Sequence, residues 1–203
     1  LVDKARFPRD KLCGGGLTGR AIMHYGRIFG RDLPPAPLVR RDTIAFHAFG
    51  TDLGPSHGAP PLHLGMRHAL DAALVEAALA AGAVDLTGQV GTLDPDRPAL
   101  DLPDRRLEAP LLIAADGVNS PSARRLFGTA FDRSRIGFAL EVERPDTDPD
   151  RPLRIDFGAA EWGYGWSFPK SGRTTIRVGG MRVLNRRMKG ERRAYMEGLG
   201  VHS

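Results

Sequence analysis

Apolar and polar positions change period several times along the chain, and each change marks an element. Over residues 67–82, Ala69, Leu70, Ala73, Leu74, Ala77 and Ala81 recur at steps of three and four, which predicts an amphipathic helix ended by Gly82. A second helix is predicted over residues 19–29, with Thr18 as its cap and Gly30 as its stop. Leu111, Leu112, Ile113, Ala114 and Ala115 form instead an unbroken apolar run, the pattern of a strand buried on both faces. Asp116 and Gly117 end it with a carboxylate and a flexible turn, and Ser120, Pro121 and Gly128 suit the cap, first position and stop of a short helix. A helix placed so would aim its free amides at the turn and offer a seat for a phosphate, although a plain turn explains the spacing equally well.

The remaining elements are shorter. Ile44, Phe46 and Ala48 alternate with other residues, as do Leu62, Leu64 and Met66, and the two segments are expected to pair antiparallel around a loop over 51–61. Residues 84–90 read as a strand and 94–104 as a proline-rich turn region. After Gly128 come four strand candidates, at 136–142, 153–157, 163–168 and 174–178, with a turn at 169–172, and together they predict an antiparallel sheet. Within the third, Tyr164, Trp166 and Phe168 share one face while the glycines and Ser167 leave the other nearly bare. Such a wall is most often simply core. The chain closes on a basic helix over 181–200 carrying Arg186, Arg187, Lys189, Arg192 and Arg193, the usual composition of a solvated face.

Composition narrows the function classes. With 203 residues, 41% of them apolar, the chain buries a real core and is not disordered. Its net charge of +5 comes mostly from arginine and suits an anionic partner, whether nucleotide phosphate, diphosphate substrate, nucleic acid or anionic membrane. One cysteine, Cys13, excludes an internal disulfide and fits a reducing, cytoplasmic location. No apolar run reaches the length of a membrane span and no signal peptide is recognised, while an opening Leu1 leaves the natural start undetermined. His57, His63 and His68 do not repeat on a helix face and no cysteine or carboxylate set joins them, so no metal site is expected.

Gly14, Gly16 and Gly19 satisfy the letters of the dinucleotide fingerprint G-x-G-x-x-G, but RFPRDKL is not the hydrophobic strand that must precede it. Gly14, Gly15 and Gly16 do remove every side chain from a stretch of backbone, which lets amides approach a flat or charged ligand. Cys13 beside them has Arg9, Lys11 and Arg20 near in sequence, a setting that favours a thiolate. With no histidine to partner it, a packing or cofactor-lining role is weighed above covalent catalysis.

Segments spread from residue 8 to residue 169 resemble the geranylgeranyl reductase-type branch of the FAD-dependent oxidoreductases with the para-hydroxybenzoate hydroxylase fold. They are PRDKLCGGGLTGRA; the helix Arg67-x-x-Leu70-Asp71-x-x-Leu74 running to Ala81-Gly82-Ala83; Asp116-Gly117 with Ser120 and Arg124; and Tyr164-x-Trp166-x-Phe168-Pro169. Leu70 stands where phenylalanine is usual and Ala123 where valine is usual. The resemblance implies an α/β and α+β mix: a partial FAD-binding Rossmann-like domain over 1–36 and 67–128, an antiparallel-sheet substrate domain over 37–66 and 129–183, and a terminal basic helix over 184–203. It also implies an internal piece of a longer flavoenzyme, since the strand-turn-helix fingerprint and a later Gly-Asp segment are not found.

By the same resemblance FAD would be held by Gly14, Gly15, Gly16, Arg67, Asp116, Gly117, Ser120 and Arg124, and substrate by Tyr164, Trp166 and Phe168. Cys13 and Tyr164 are the candidate catalytic proton donors. NAD(P)H would supply electrons for reducing carbon-carbon double bonds of an isoprenoid or other apolar small molecule. Nucleic acid is not an expected partner, peripheral membrane association is compatible, and the oligomeric state is open. A flavin-dependent monooxygenase or halogenase on the same fold is the alternative, the latter carrying a related Trp-x-Trp-x-Ile-Pro. A basic nucleic-acid or membrane-surface binding module without catalysis is the second alternative.

Overall fold

The computed structural model describes residues 1–56, 58, 60–146, 148 and 150–201. In chain order its first half runs β1 (Val2–Asp3), β2 (Gly16–Thr18), α1 (Gly19–Phe29), β3 (Leu38–Arg41), β4 (Ile44–Ala48), β5 (Thr51–Pro55), β6 (Leu62–Gly65) and α2 (Arg67–Ala80). The second half continues with β7 (Leu86–Thr87), β8 (Thr92–Leu93), β9 (Ala99–Asp101), β10 (Arg106–Glu108), α3 (Pro121–Phe127), β11 (Gly137–Pro145), β12 (Leu153–Phe157), β13 (Tyr164–Lys170), β14 (Arg173–Met181) and α4 (Met188–Gly198).

The alternating segments after residue 136 form the largest layer, a six-stranded sheet ordered β11-β14-β13-β12-β4-β5. Its neighbours are antiparallel except β4 beside β12, which run parallel with Phe46 opposite Ile155. Strands β2, β6 and β3 make a second sheet, whose hydrogen bonds cross the expected division between residues 36 and 37. Smaller sheets are β8-β9-β10 and the parallel pair β1-β7. This is the expected mixture of α/β and α+β elements with an antiparallel sheet.

Each face of the six-stranded sheet has its own cover. On one, α4 lays Met188 and Tyr195 against Val178, Ala160 and Leu140. Tyr195 fits because Gly165 lacks a side chain: a Cβ there would stand 2.7 Å from the ring. That face is therefore not bare, as its glycines suggested, but filled from above. The Tyr195 hydroxyl donates to Asp156 Oδ2 at 2.7 Å, and Arg154 holds the same carboxylate. Burial, followed by the hydrogen bond to Asp156 and then its charge, pushes the Tyr195 phenol up, so it remains a donor.

Helices α1 and α2 form where the apolar period and the flanking residues predict them. Thr18 accepts from the Ala21 amide at 3.1 Å to open α1, and Gly30 ends it in the left-handed region. Helix α2 has no side-chain cap and gains instead the pair Arg67–Asp71, spaced i,i+4.

Elsewhere the sequence reading is corrected. Strands β4 and β6 are not partners: β4 pairs with β5, which lies inside the expected loop, and β6 pairs with β2 and β3. The signal for β5 is missing because Thr51, Asp52 and Leu53 are all exposed on an edge strand. The proline-rich stretch 94–104 holds β9, with β8 and β10 on either side, and their pattern is too short to register. Strand 84–90 shrinks to β7, and Pro169 and Lys170 complete β13, leaving Ser171-Gly172 as the turn. The basic helix starts at Met188, and positions 202 and 203 of its expected range lie outside the described residues.

The largest correction concerns 111–115, which form no strand, with Leu111 74% and Ile113 82% exposed. An apolar strand of that kind needs hydrogen-bonded neighbours and cover on both faces, and no strand among the described residues pairs with it.

Replacing Gly165 by alanine should displace Tyr195 and cost about 1–3 kcal/mol, as overpacking a filled core does. A lower urea midpoint checks this, and an unchanged one would mean that Tyr195 is not seated there.

Candidate functional site

The second face of the sheet carries the aromatic row. Tyr164 and Trp166 have ring centroids 5.1 Å apart, and Trp166 and Phe168 follow at 6.0 Å. Across the strands Phe157 lies 6.3 Å from Tyr164 and stacks on Phe46 at 6.2 Å. The three rings named from sequence thus extend into a five-ring wall over β13, β12 and β4. It grades from half-exposed at Phe157 and Tyr164 to 9% exposed at Trp166.

The cysteine-glycine loop seats on the buried end of that wall. A Cβ on Gly14 would stand 2.9 Å from Trp166 Nε1 and 3.3 Å from the Phe168 ring. Gly15 has φ of +68°, and a Cβ there would lie 1.9 Å from the Gly65 carbonyl oxygen, against which no side chain fits. The loop is pinned from the other side as the Gly65 amide donates to the Gly15 carbonyl at 2.9 Å.

Charged groups collect around this contact. The Gly15 amide donates to Cys13 Sγ at 3.5 Å. Burial alone would raise the thiol, but that amide with the Arg67 and Arg177 charges outweighs it and holds Cys13 below its ordinary value. Arg67 is fixed by two bonds to Asp71, at 2.6 and 2.9 Å, and Arg9 reaches the same carboxylate at 3.0 Å. Lys170, 7% exposed, has its ammonium pulled down by burial against the opposing charges of Glu143, Glu141 and Cys13. Its Nζ donates to the Met66 thioether at 3.5 Å, a weak acceptor.

Sequence reasoning missed a polar row beside the rings. Register places Trp166, Arg177 and Glu141 side by side on β13, β14 and β11. The Arg177 guanidinium lies 5.4 Å from the Trp166 ring centre, and its Nε stands 3.2 Å from Glu141 Oε2. That approach satisfies an ion pair but not hydrogen-bond alignment. Arg177 Nε and Glu141 Oε2 are therefore buried without a hydrogen bond among the described residues, as are Trp166 Nε1 and Thr175 Oγ1. The signal that finds the row is cross-strand register, which a single sequence does not print.

The acidic bend is built differently from its expected form. Ser120 caps α3 by accepting from the Ala123 amide at 2.8 Å, and its hydroxyl donates to Asp116 Oδ1 at 2.5 Å. The Ser122 amide donates to Asp116 Oδ2 at 2.9 Å. The chain's own carboxylate therefore occupies the helix N-terminus that was read as a phosphate seat, because it reaches the free amides first. The Ser120 bond, against the opposing effect of burial and with help from Ser122, holds the Asp116 carboxyl at about 2. Gly117 supplies the left-handed turn at φ +80°, and Arg124 donates to the Asn119 carbonyl at 2.8 Å. No hydrogen bond or ion pair among the described residues joins this bend to the glycine loop.

His63 sits in β6 and His68 in α2, and His57 lies outside the described residues. Among the described residues no three His, Cys, Asp or Glu side chains are grouped to hold a metal ion.

Two measurements check this electrostatic picture. Alkylation of Cys13, the single cysteine, should follow a titration midpoint below that of an ordinary thiol, and Arg67→Gln should move it upward. A resonance titration of Asp116 should give a value near 2 that rises in Ser120→Ala. Because the folded value is depressed, the stability linked to Asp116 is present above about pH 4 and is lost as pH falls toward 2. A midpoint at the ordinary carboxylate value of 3.8 would show that the Ser120 bond does not form.

No family model matches the sequence. The menaquinone reductase of Mycobacterium tuberculosis is 30% identical over 210 residues, covering 92% of this chain and 50% of that protein. The chain spans about half the length of the curated relatives it matches. Among solved structures, a geranylgeranyl bacteriochlorophyll reductase-like protein of Thermoplasma acidophilum superposes with a TM-score of 0.76 at 20% identity, over 97% of this chain and 54% of that one. A probable FAD-dependent monooxygenase of Pseudomonas aeruginosa superposes with a TM-score of 0.68 at 17% identity, over 97% of this chain and 58% of that one. The chain therefore has the para-hydroxybenzoate hydroxylase fold of the FAD-dependent oxidoreductases.

Proposed function

We propose that this chain supplies the substrate wall and part of the flavin seat of an FAD-dependent oxidoreductase of the geranylgeranyl reductase type. The reaction is reduction of a carbon-carbon double bond in an isoprenoid chain with electrons from NAD(P)H. The observation that carries this reading is the five-ring wall against which a side-chain-free loop is pressed. A polyprenyl chain offers apolar surface and little else, worth about 0.8 kcal/mol for each buried CH₂. A continuous aromatic face recognises that surface without requiring hydrogen bonds. The relative named as a menaquinone reductase fits, since menaquinone is a quinone with an isoprenoid tail.

The residues present suit a flat cofactor beside that wall. Gly14, Gly15 and Gly16 turn their vacant Cβ positions toward Trp166, Phe168 and Gly65, so the cofactor would meet the loop's other edge, where Arg67 stands next to Cys13. FAD, when bound, carries the hydride between nicotinamide and alkene. Asp116 already accepts one bond on each oxygen, and as an anion it would repel phosphate and would suit a hydroxyl donor of the cofactor instead. Gly117, Ser120 and Arg124 shape the bend that holds it. Of the two proton-donor candidates, Cys13 lies at the buried end of the wall and Tyr164 at its open end.

One observation favours a second reading. The buried pair Arg177–Glu141 beside Trp166 suits a polar aromatic substrate, as a flavin monooxygenase would use. The whole protein, incubated with FAD, NADPH and a polyprenyl diphosphate with and without oxygen, separates the two. Saturated product in both conditions is expected, with Trp166→Ala lowering its rate. Product that requires oxygen would replace the reductase by a monooxygenase.

A further inference from the structure

Four connections lie along the end of the six-stranded sheet farthest from the glycine loop, and they present a surface that the proposed chemistry does not use. Phe49 lies between β4 and β5, Trp162 between β12 and β13, and Val183 and Leu184 between β14 and α4; residues 131–136 precede β11. Phe49 is 85% and Trp162 83% exposed, and Val183 and Leu184 are exposed as well. Both aromatic residues hold left-handed backbone, at φ of 49° and 48°, a conformation disfavoured for large side chains.

These connections are fixed in place. The Phe49 amide donates to the Phe157 carbonyl at 3.0 Å, and the Phe49 ring lies over Gly158, where a Cβ would stand 2.5 Å away. Asn185, 2% exposed, accepts from the Glu161 amide at 2.8 Å and donates to the Glu161 carbonyl at 2.7 Å, tying the Trp162 turn to the Leu184 turn. The Arg182 amide donates to the Ile136 carbonyl at 3.0 Å and ties in the fourth. The exposed rings are thus held outward on a braced platform, by a backbone geometry that burial of the rings does not reward.

On the β14 and β11 side of this end stand Arg133, Arg135, Arg182, Arg186 and Arg187, all exposed, against the exposed acids Asp132 and Glu161, with Asp52 beside the Phe49 turn. Of these five arginines only Arg135 has an ion pair among the described residues, at 3.9 Å to Asp132. A second copy related by a twofold axis would bring these arginines together, which disfavours self-association. Aromatic rings beside a cationic flank match the boundary between headgroups and acyl chains of an anionic bilayer. We infer that this end of the sheet docks the protein on an anionic membrane surface, with Phe49 and Trp162 inserted and the arginines on the headgroups. Half-exposed Phe157 and Tyr164 then continue from the membrane toward Trp166, a path for a lipid-borne substrate. Docking stands without the reductase reading; only the use of that path rests on it.

The test uses the whole protein without added FAD and phosphatidylcholine vesicles with or without phosphatidylglycerol. Of this chain's two tryptophans Trp166 is buried, so the part of a blue shift in emission that Trp162→Gly abolishes reports Trp162. Expected are a blue shift and cosedimentation with phosphatidylglycerol vesicles only, weakened by salt. Phe49→Gly and Trp162→Gly relieve the left-handed strain, so each should raise the unfolding midpoint while cutting cosedimentation about tenfold. Absence of vesicle binding, equal binding to neutral vesicles, a shift caused by protein concentration alone, or glycine variants that bind like the parent would each overturn the inference.

Discussion

The close approach of three side-chain-free residues to a row of rings is the constraint on which the arrangement depends. Gly15 lies so near the Gly65 carbonyl that a methyl group would overlap it, and Gly14 touches Trp166 on the other side. The loop is therefore clamped between two sheets, β2-β6-β3 behind it and the six-stranded sheet in front. Everything placed near it inherits that position: Cys13, whose sulfur faces the Gly15 amide, and Lys170, whose ammonium reaches Met66. Glycine here serves approach rather than flexibility, since Gly15 alone of the three has a positive φ.

The same device works in mirror image on the opposite face, where Gly165 admits Tyr195. Strand β13 thus offers large side chains to one side and vacant positions to the other. The vacancies are taken by a helix on one side, while the rings receive a loop on the other. This lets the rings stay partly open, because the sheet draws its buried apolar contacts from Val178, Met188 and Ala160 on the helix side. Stability and the site are assigned to different faces of the same strands, and neither need be compromised for the other.

What was legible in the sequence follows from range. Helices α1 and α2 and strands β11 to β14 declare themselves through local period and caps, and the structure has each of them. The aromatic row was legible because Tyr164, Trp166 and Phe168 lie two apart on one strand. Phe46 and Phe157 join the same wall from strands more than a hundred residues apart, through a parallel pairing that no local pattern announces. The run 111–115 misled for a related reason: its apolarity reports what it needs from neighbours, and periodicity does not say whether those neighbours belong to the chain. At Asp116 the bend and the short helix stand where the residue types place them, but the carboxylate, four residues before a serine cap, closes on the helix itself.

The polar row beside the rings shows how tightly the pieces are coupled. Glu141 is a buried carboxylate whose ion-pair partner is Arg177, and Arg177 in turn rests on the face of Trp166. Removing Arg177 would strand a buried anion, a larger penalty than the pair itself contributes, whereas removing Glu141 would free Arg177 to turn toward Cys13, whose thiolate it already favours. Trp166 meanwhile supports Gly14 on its indole edge, so its loss would reach the loop as well as the wall. Substitutions at these positions share neighbours and so do not add. The wall, the loop and the charges beside them therefore act as one unit, and the effect of any one residue is defined only with the other two in place.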